Sequence, residues 1–469
     1  MEMQKLARSE KATGLATKRV RGRFDASISI ETYDSSGTVA ILIQMDRRSL
    51  FSRRDLLSKT GALAAGSLAV GVDAASSASA QDASSGAVDA TPGALQSTGV
   101  LYNAAAGPWG MLQYYFFYLE APQFLIDAFP LPNPRTRWAV PTAREREFRS
   151  LLEEIFMSAE ARVALADPVN IGVADGLYAV FPPAFVITSL DPAARAQLYQ
   201  YLAQFEMNPE IRDPIRIFSG SVDEWANGTG MRPDLIELMK EMCYQRHGLL
   251  NFADIPFLVS QAKTQEEARA LQRNSSRVRT MVIRLDLNKL GDMEQMVDYW
   301  TTGLGLRRKQ IEPIIESGKL TPGVAGLDIV HLLPPLARKL LYTYPDLSMA
   351  VEGKLPDCHW TALNFFNYNP ETIYLEELFA ASGLLSDFDT LDEPFRFGDL
   401  LVFVTPEMNA LHSCVYLAAD IVYTKNGRSL FAPWVALHLD DVKKLYSESG
   451  GQPLRIQGFR KKKILSEAN

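Results

Sequence analysis

Disulfide chemistry is nearly closed to this chain. Its 469 residues hold three cysteines, Cys243, Cys358 and Cys414, too few for a disulfide framework in a chain of this length. Histidine is also sparse at five, so any imidazole chemistry must come from His247, His331, His359, His412 or His438. The formal net charge is −7. Residues 1–80 carry twelve Lys/Arg against eight Asp/Glu, which leaves 36 against 47 in the remainder. No basic stripe with interleaved aromatics crosses that acidic remainder, and this argues against nucleic acid and anionic membrane as partners. No apolar run is long enough for a stable membrane span in the mature chain, and no internal repeat is found. What is abundant is core-forming material: 47% of residues are hydrophobic, which predicts two to three domains.

The address lies near the N-terminus. Ser52-Arg53-Arg54-Asp55-Leu56-Leu57-Ser58-Lys59 resembles the bacterial twin-arginine export motif. A weakly apolar, Ala/Gly-rich run from Gly61 to Val72 follows, and Ala78-Ser79-Ala80 reads as a signal-peptidase site. Residues 1–80 are therefore expected to be a leader, with the mature protein beginning near Gln81 in the periplasm or cell envelope. Met45 precedes the arginine pair by eight residues, so residues 1–44 are expected to be an upstream extension without structural meaning. Twin-arginine substrates cross already folded, which suits a protein whose cysteines remain thiols.

Beyond the leader, 81–140 reads as an Ala/Ser/Gly linker followed by an aromatic and Pro-rich segment. Its cluster Tyr114 to Tyr118 is expected in the core. Residues 141–335 read as a mostly helical domain. Thr142-Ala143-Arg144-Glu145 has the form of a capping box, and Asp191-Pro192 of a second helix start. Further helices are expected over Pro233–Gln245, Thr264–Gln272, Met293–Thr301 and Lys309–Ser317, with strands over Leu177–Val186 and Arg279–Leu287. Arg246-His247 is expected to end a helix, where cations favour the dipole. His331 is expected in the core, and Arg144-Glu145-Arg146-Glu147 on a solvated face. His438 alternates within a strand. Tyr342-Thr343-Tyr344-Pro345 is a candidate source of substrate-facing aromatics.

The chemistry-bearing pattern lies in 336–460. Asp357-Cys358-His359-Trp360 opens a helix-like apolar run, Phe397-Gly398-Asp399-Leu400 opens a strand, and Leu411-His412-Ser413-Cys414 opens the next. A thiol becomes a useful nucleophile as thiolate, which a helix N-terminus and a nearby imidazole both favour. The imidazole takes the thiol proton and returns it to the leaving group, and N–H groups at the helix start can face an oxyanion. Cys358 is thus the candidate nucleophile and His412 the candidate base. Cys358, His359, His412 and Cys414 also form a nominal Cys2His2 set, but adjacent ligands such as Cys358 and His359 rarely reach one ion. No metal and no cofactor is implied.

The stretch from about Leu355 to Tyr446 resembles the NlpC-type cell-wall peptidases, papain-like enzymes that cut peptidoglycan stem peptides. The resemblance rests on Asp357-Cys358, Gly398-Asp399-Leu400 and His412 through Leu417. It implies an α+β fold: a mostly helical N-terminal domain, then a papain-like domain with the Cys-bearing helix packed on an antiparallel sheet. It also implies an exported cysteine hydrolase cleaving an amide bond in peptidoglycan or an envelope peptide through an acyl-enzyme. Family members carry Ser-Gly after the cysteine, where this chain has His359-Trp360; Trp360 is expected to reshape the pocket. Their third residue, a His about a dozen positions after the base, falls here on Thr424. Asn426, on the same strand face by alternation, is the other candidate for orienting His412, although Asn426-Gly427 also has the form of a hairpin turn. A non-catalytic envelope binding or scaffold protein and a thiol acyltransferase are the alternatives that these departures leave open.

Overall fold

The computed structural model describes residues 100–462, apart from 157, 303–304, 407–408 and 447–453, together with the backbone of 27–33 and 38–44. The twin-arginine motif, the Ala78–Ala80 site and nearly all of the 81–100 linker lie outside the described residues. Within residues 1–44, Ser27–Tyr33 and Thr38–Gln44 pair as antiparallel strands, in keeping with their Ile, Val and Thr content.

Helices and antiparallel sheets make a mixed α+β fold. The largest sheet has six strands in the order Phe388–Leu391, Arg455–Lys461, Leu400–Val404, Ala410–Ala418, Ile421–Lys425, Trp434–His438. Every neighbouring pair in it is antiparallel. Its central strand Leu400–Val404 is wholly buried, which explains a continuous apolar run in place of alternation. The helix Cys358–Leu363 packs on it, against the Ala410–Ala418 and Ile421–Lys425 strands. A four-stranded sheet stands alongside, ordered Gly326–Asp328, Val278–Asp286, Leu112–Leu119, Tyr102–Asn103. The Thr280 hydroxyl joins the two sheets. It donates to Ala436 O at 2.9 Å and accepts from Ala436 N at 3.1 Å.

Two large apolar cores result. One gathers Leu112, Met281, Trp300, Ile311 and Leu332 with Trp360, Phe397, Val402 and Val415, so it runs across the boundary expected at residue 335. The other holds Trp138, Phe148, Tyr178, Leu198, Trp225 and Phe252, with helices around two three-stranded sheets. Inside it Arg195 and Asp254 form an ion pair at 2.5 Å, fully buried on both sides, to which the Tyr199 hydroxyl also donates.

Several expectations hold. Asp191 caps the Pro192–Leu202 helix through Ala193 N and Ala194 N. Asp292 caps Met293–Thr301, Thr264 caps Gln265–Ser275, and Gly305–Leu320 contains the helix expected over 309–317. The strand expected over 279–287 spans Val278–Asp286. Of the cluster Tyr114 to Tyr118 expected in the core, Phe116, Phe117 and Tyr118 are buried, whereas Tyr114 and Tyr115 are half-buried.

Others are corrected. Thr142 caps nothing: it lies in a 3-10 turn, Thr142–Arg144, before the Glu145–Ile155 helix, and its N–H donates to Gly176 O. The strand at Leu177 stops at Val180, because Pro182 and Pro183 cannot continue a ladder, and a helix Ala184–Thr188 follows. The helix from Pro233 ends at Met242. Arg246 therefore closes a strand, Tyr244–Arg246, and His247 (φ 52°) makes a tight turn with Gly248, so neither meets a helix dipole. His331 is exposed while its neighbours Ile329, Leu332 and Leu333 are buried, since the 3-10 turn Ile329–Leu332 directs it outward. Tyr342 is a structural residue: its hydroxyl donates to Met281 O at 2.7 Å and its ring packs on Phe117.

Candidate active site

Asp357 starts the site. Its Oδ1 accepts from Trp360 N at 2.8 Å, which caps the helix Cys358–Leu363 and fixes Cys358 at the first helical position. Its Oδ2 accepts from Arg428 Nη2 at 2.7 Å. The helix has only six residues and hence a short dipole, so ionisation of the thiol must rest mainly on side chains. Trp360, expected to reshape the pocket, instead turns into the apolar core.

His412 stands on the Ala410–Ala418 strand, opposite Phe403. It is 0% exposed, and its ring stacks on Tyr446 with centroids 4.1 Å apart and lies edge-on to Phe403. Nε2 and Thr424 Oγ1 are 2.9 Å apart, while Nδ1 has no hydrogen-bond partner of standard geometry among the described residues. A ring that carries its hydrogen on Nε2 donates to the Thr424 hydroxyl and keeps Nδ1 as an acceptor. The cysteine thiol is within hydrogen-bonding reach of both His359 and His412. The pair read from the sequence is thus brought together, and of the two candidates for the third position Thr424 holds the ring. Asn426 does not. It opens the eight-residue stretch 426–433 between the two strands, which also replaces the two-residue hairpin its pairing with Gly427 suggests.

Four further residues belong to the site and were not singled out as partners from the sequence. His359 Nδ1 lies 2.8 Å from Ser413 Oγ, and Arg428 and Glu377 stand beyond Asp357 and His359. His359 had a legible signal, a titratable ring next to the thiol. Ser413, Glu377 and Arg428 had none, because nothing local distinguishes them from surface polar residues. His438, by contrast, packs on Tyr114 and takes no part.

The electrostatics follow from this placement. Burial pushes the Cys358 thiol up, but the charges of His359 and His412 and hydrogen bonds with both outweigh it and bring it down to about 5. Burial presses His359 down, yet the adjacent Cys358 thiolate, then Asp357 and Glu377, raise it to about 9. Burial, opposed by Arg428, leaves Glu377 at about 7. Cys414 is close enough to feel Cys358, and burial holds its thiol well above the usual range. All three cysteines are free, so Cys358 and Cys414 are not bonded to each other. Among the described residues no three His, Cys, Asp or Glu side chains are placed to share a metal ion, and no helix is long and apolar enough to cross a membrane.

No family model, no curated protein and no solved structure matches this chain.

Proposed function

We propose that this chain is an exported cysteine hydrolase of NlpC-like, papain-type architecture that cleaves an amide bond in peptidoglycan stem peptides or another envelope peptide. One observation carries the reading: Cys358 opens a helix beside His412, whose far nitrogen is held by Thr424 at 2.9 Å. His412 takes the Cys358 proton and leaves the sulfur as thiolate. The sulfur attacks the substrate carbonyl and forms a C–S bond. As the C–N bond breaks, His412 gives the proton to the leaving nitrogen. His412 then takes a proton from water, whose oxygen attacks the thioester and releases the acid, and the sulfur departs as thiolate. Export rests on the Arg53-Arg54 motif and the peptide substrate on the resemblance in motif order.

A second reading, a non-catalytic envelope binding protein on the same fold, draws on burial: Cys358 is only 5% exposed. One measurement divides the two. Iodoacetamide alkylation of the full chain, followed by intact mass and peptide mapping, is expected to label Cys358 at pH 6 far faster than Cys243, whose thiol burial pushes up to about 12. The rate should fall as pH drops through about 5, because the thiolate is then lost. Equal, slow labelling of both cysteines across that range sinks the hydrolase reading. Digestion of purified cell wall, read by mass spectrometry, separates hydrolysis from acyl transfer: new free carboxyl termini support the first and new amide linkages the second.

A further inference from the structure

The chain has two imidazoles at one thiol, where a base and its orienting partner need only one. Their settings differ. His412 lies between the rings of Tyr446 and Phe403, and its one polar tether is the neutral Thr424 hydroxyl. His359 is half-buried and held through Nδ1 by Ser413 Oγ at 2.8 Å. Two carboxylates, Asp357 and Glu377, act on it, and Glu377 Oε2 has no hydrogen-bond partner among the described residues. Apolar surroundings penalise a charged ring, whereas nearby carboxylates favour one.

We propose that His359 is a second cation of this site: it is protonated beside the Cys358 thiolate, holds Cys358 in that form, and leaves His412 to move the proton of the reaction. The inference rests on the reading of Cys358 as the nucleophile. The proton on His359 comes from solvent, and the proton displaced from Cys358 goes to His412, so the proton balance of the hydrolysis is unchanged. Ser413 accepts from Nδ1–H and sets the ring plane. The other charged or titratable groups facing this cluster are Asp357 and Glu377 around His359, and Arg428, His412, Cys414 and Tyr446 around Cys358. Arg428 is neutralised in part by its pair with Asp357. The departure from the family's residue after cysteine thus becomes a gain of charge.

The test is the pH dependence of Cys358 alkylation in the full chain. His359→Gln keeps hydrogen-bonding capacity and removes the charge. It is expected to move the alkylation midpoint up from about 5 by at least one unit, which slows labelling at pH 4, below both midpoints, about tenfold. His359→Lys is expected to restore most of that rate, which a merely structural role would not do. In the wild type an upper limb is expected near pH 9, where His359 loses its proton, and Glu377→Gln should move that limb to lower pH. A low wild-type midpoint that His359→Gln leaves in place, while His412→Gln raises it, overturns the inference and spares the hydrolase reading. A wild-type Cys358 that titrates like an ordinary thiol overturns both. If His359→Gln fails to fold, judged by its thermal melt, Glu377→Gln decides: an unmoved upper limb counts against the inference.

Discussion

At Cys358 the cost of burying a thiolate is set against two rings, and what each ring can do depends on its tether. Thr424 holds His412 through a neutral hydroxyl, and a neutral hydrogen bond contributes about 1 kcal/mol net. Thr424→Val keeps the side-chain shape and removes that bond, so under the hydrolase proposal kcat on an envelope peptide should fall about five- to tenfold with little change in KM. Thr424→Ser should recover most of it. A Val variant with unchanged kcat and a displaced KM would show that Thr424 shapes the pocket and does not orient the base. The pairing of Cys358 with His412 was legible from the order of Cys358, Gly398-Asp399 and His412 along the chain, because that order encodes which elements face each other. Thr424 was reached by spacing alone and tied with Asn426; the tie is broken by the loop after Lys425, which no local signal announces. His359 was visible only as a departure from a pattern. Its meaning depends on Ser413 and Glu377, which are remote in sequence and reach it only through the fold.

The elements that carry these residues are short, and their ends decide where the chemistry points. Before the strand Leu400–Val404 the chain turns at Gly398, with φ +88°. Its N–H donates to Tyr416 O, and Asp399 O accepts from Tyr416 N; the Asp399 carboxylate meanwhile pairs with Arg460 at 2.6 Å. A Cβ at Gly398 would collide with the Phe366 ring, which is backed by the core. Gly398→Ala therefore combines a left-handed backbone with overpacking, each costing about 1–3 kcal/mol. Gly427, with φ +86° but open space around it, incurs only the backbone part when changed to Ala, about 1–2 kcal/mol. Urea unfolding of both variants is expected to show the larger loss at Gly398, and equal losses would contradict the packing argument. Helices with an Asp or Thr at the start, such as those capped by Asp191, Asp292 and Thr264, could be read from the sequence because the cap is local. The failures at Val180 and Met242 share one cause: apolar periodicity continued past the point where Pro182-Pro183 or the Tyr244–Arg246 hairpin ended the element.

The α+β class could be anticipated for the molecule as a whole, whereas the way its parts join could not, because one strand serves both cores. In Leu112–Leu119, Phe116 faces the core that contains Trp360, whereas Tyr118 enters the core that contains Trp138 and Trp225. Phe117 joins a third cluster with Phe403 and Cys414. Composition placed this strand in a Pro-rich connecting segment, since only its pairing with Val278–Asp286 reveals its position between the halves. The site is coupled to the far half a second time: Tyr446, stacked on His412, also feels Arg216 and Asp213. The molecule is therefore expected to unfold as one unit, which the buried Arg195–Asp254 pair can probe. Removing one member leaves a charge in a core with no partner, at a cost of about 3–5 kcal/mol. Asp254→Ala should lower the urea midpoint of the whole chain, and Cys358 should become reactive toward a bulky maleimide over the same denaturant range as the far-UV signal changes. Replacing both partners with apolar residues, Arg195→Met with Asp254→Leu, should recover most of the loss, because the pair's desolvation cost then disappears with its attraction. If Asp254→Ala splits the curve in two, with Cys358 protected through the first transition, the shared strand does not couple the cores and the two halves are separate folding units.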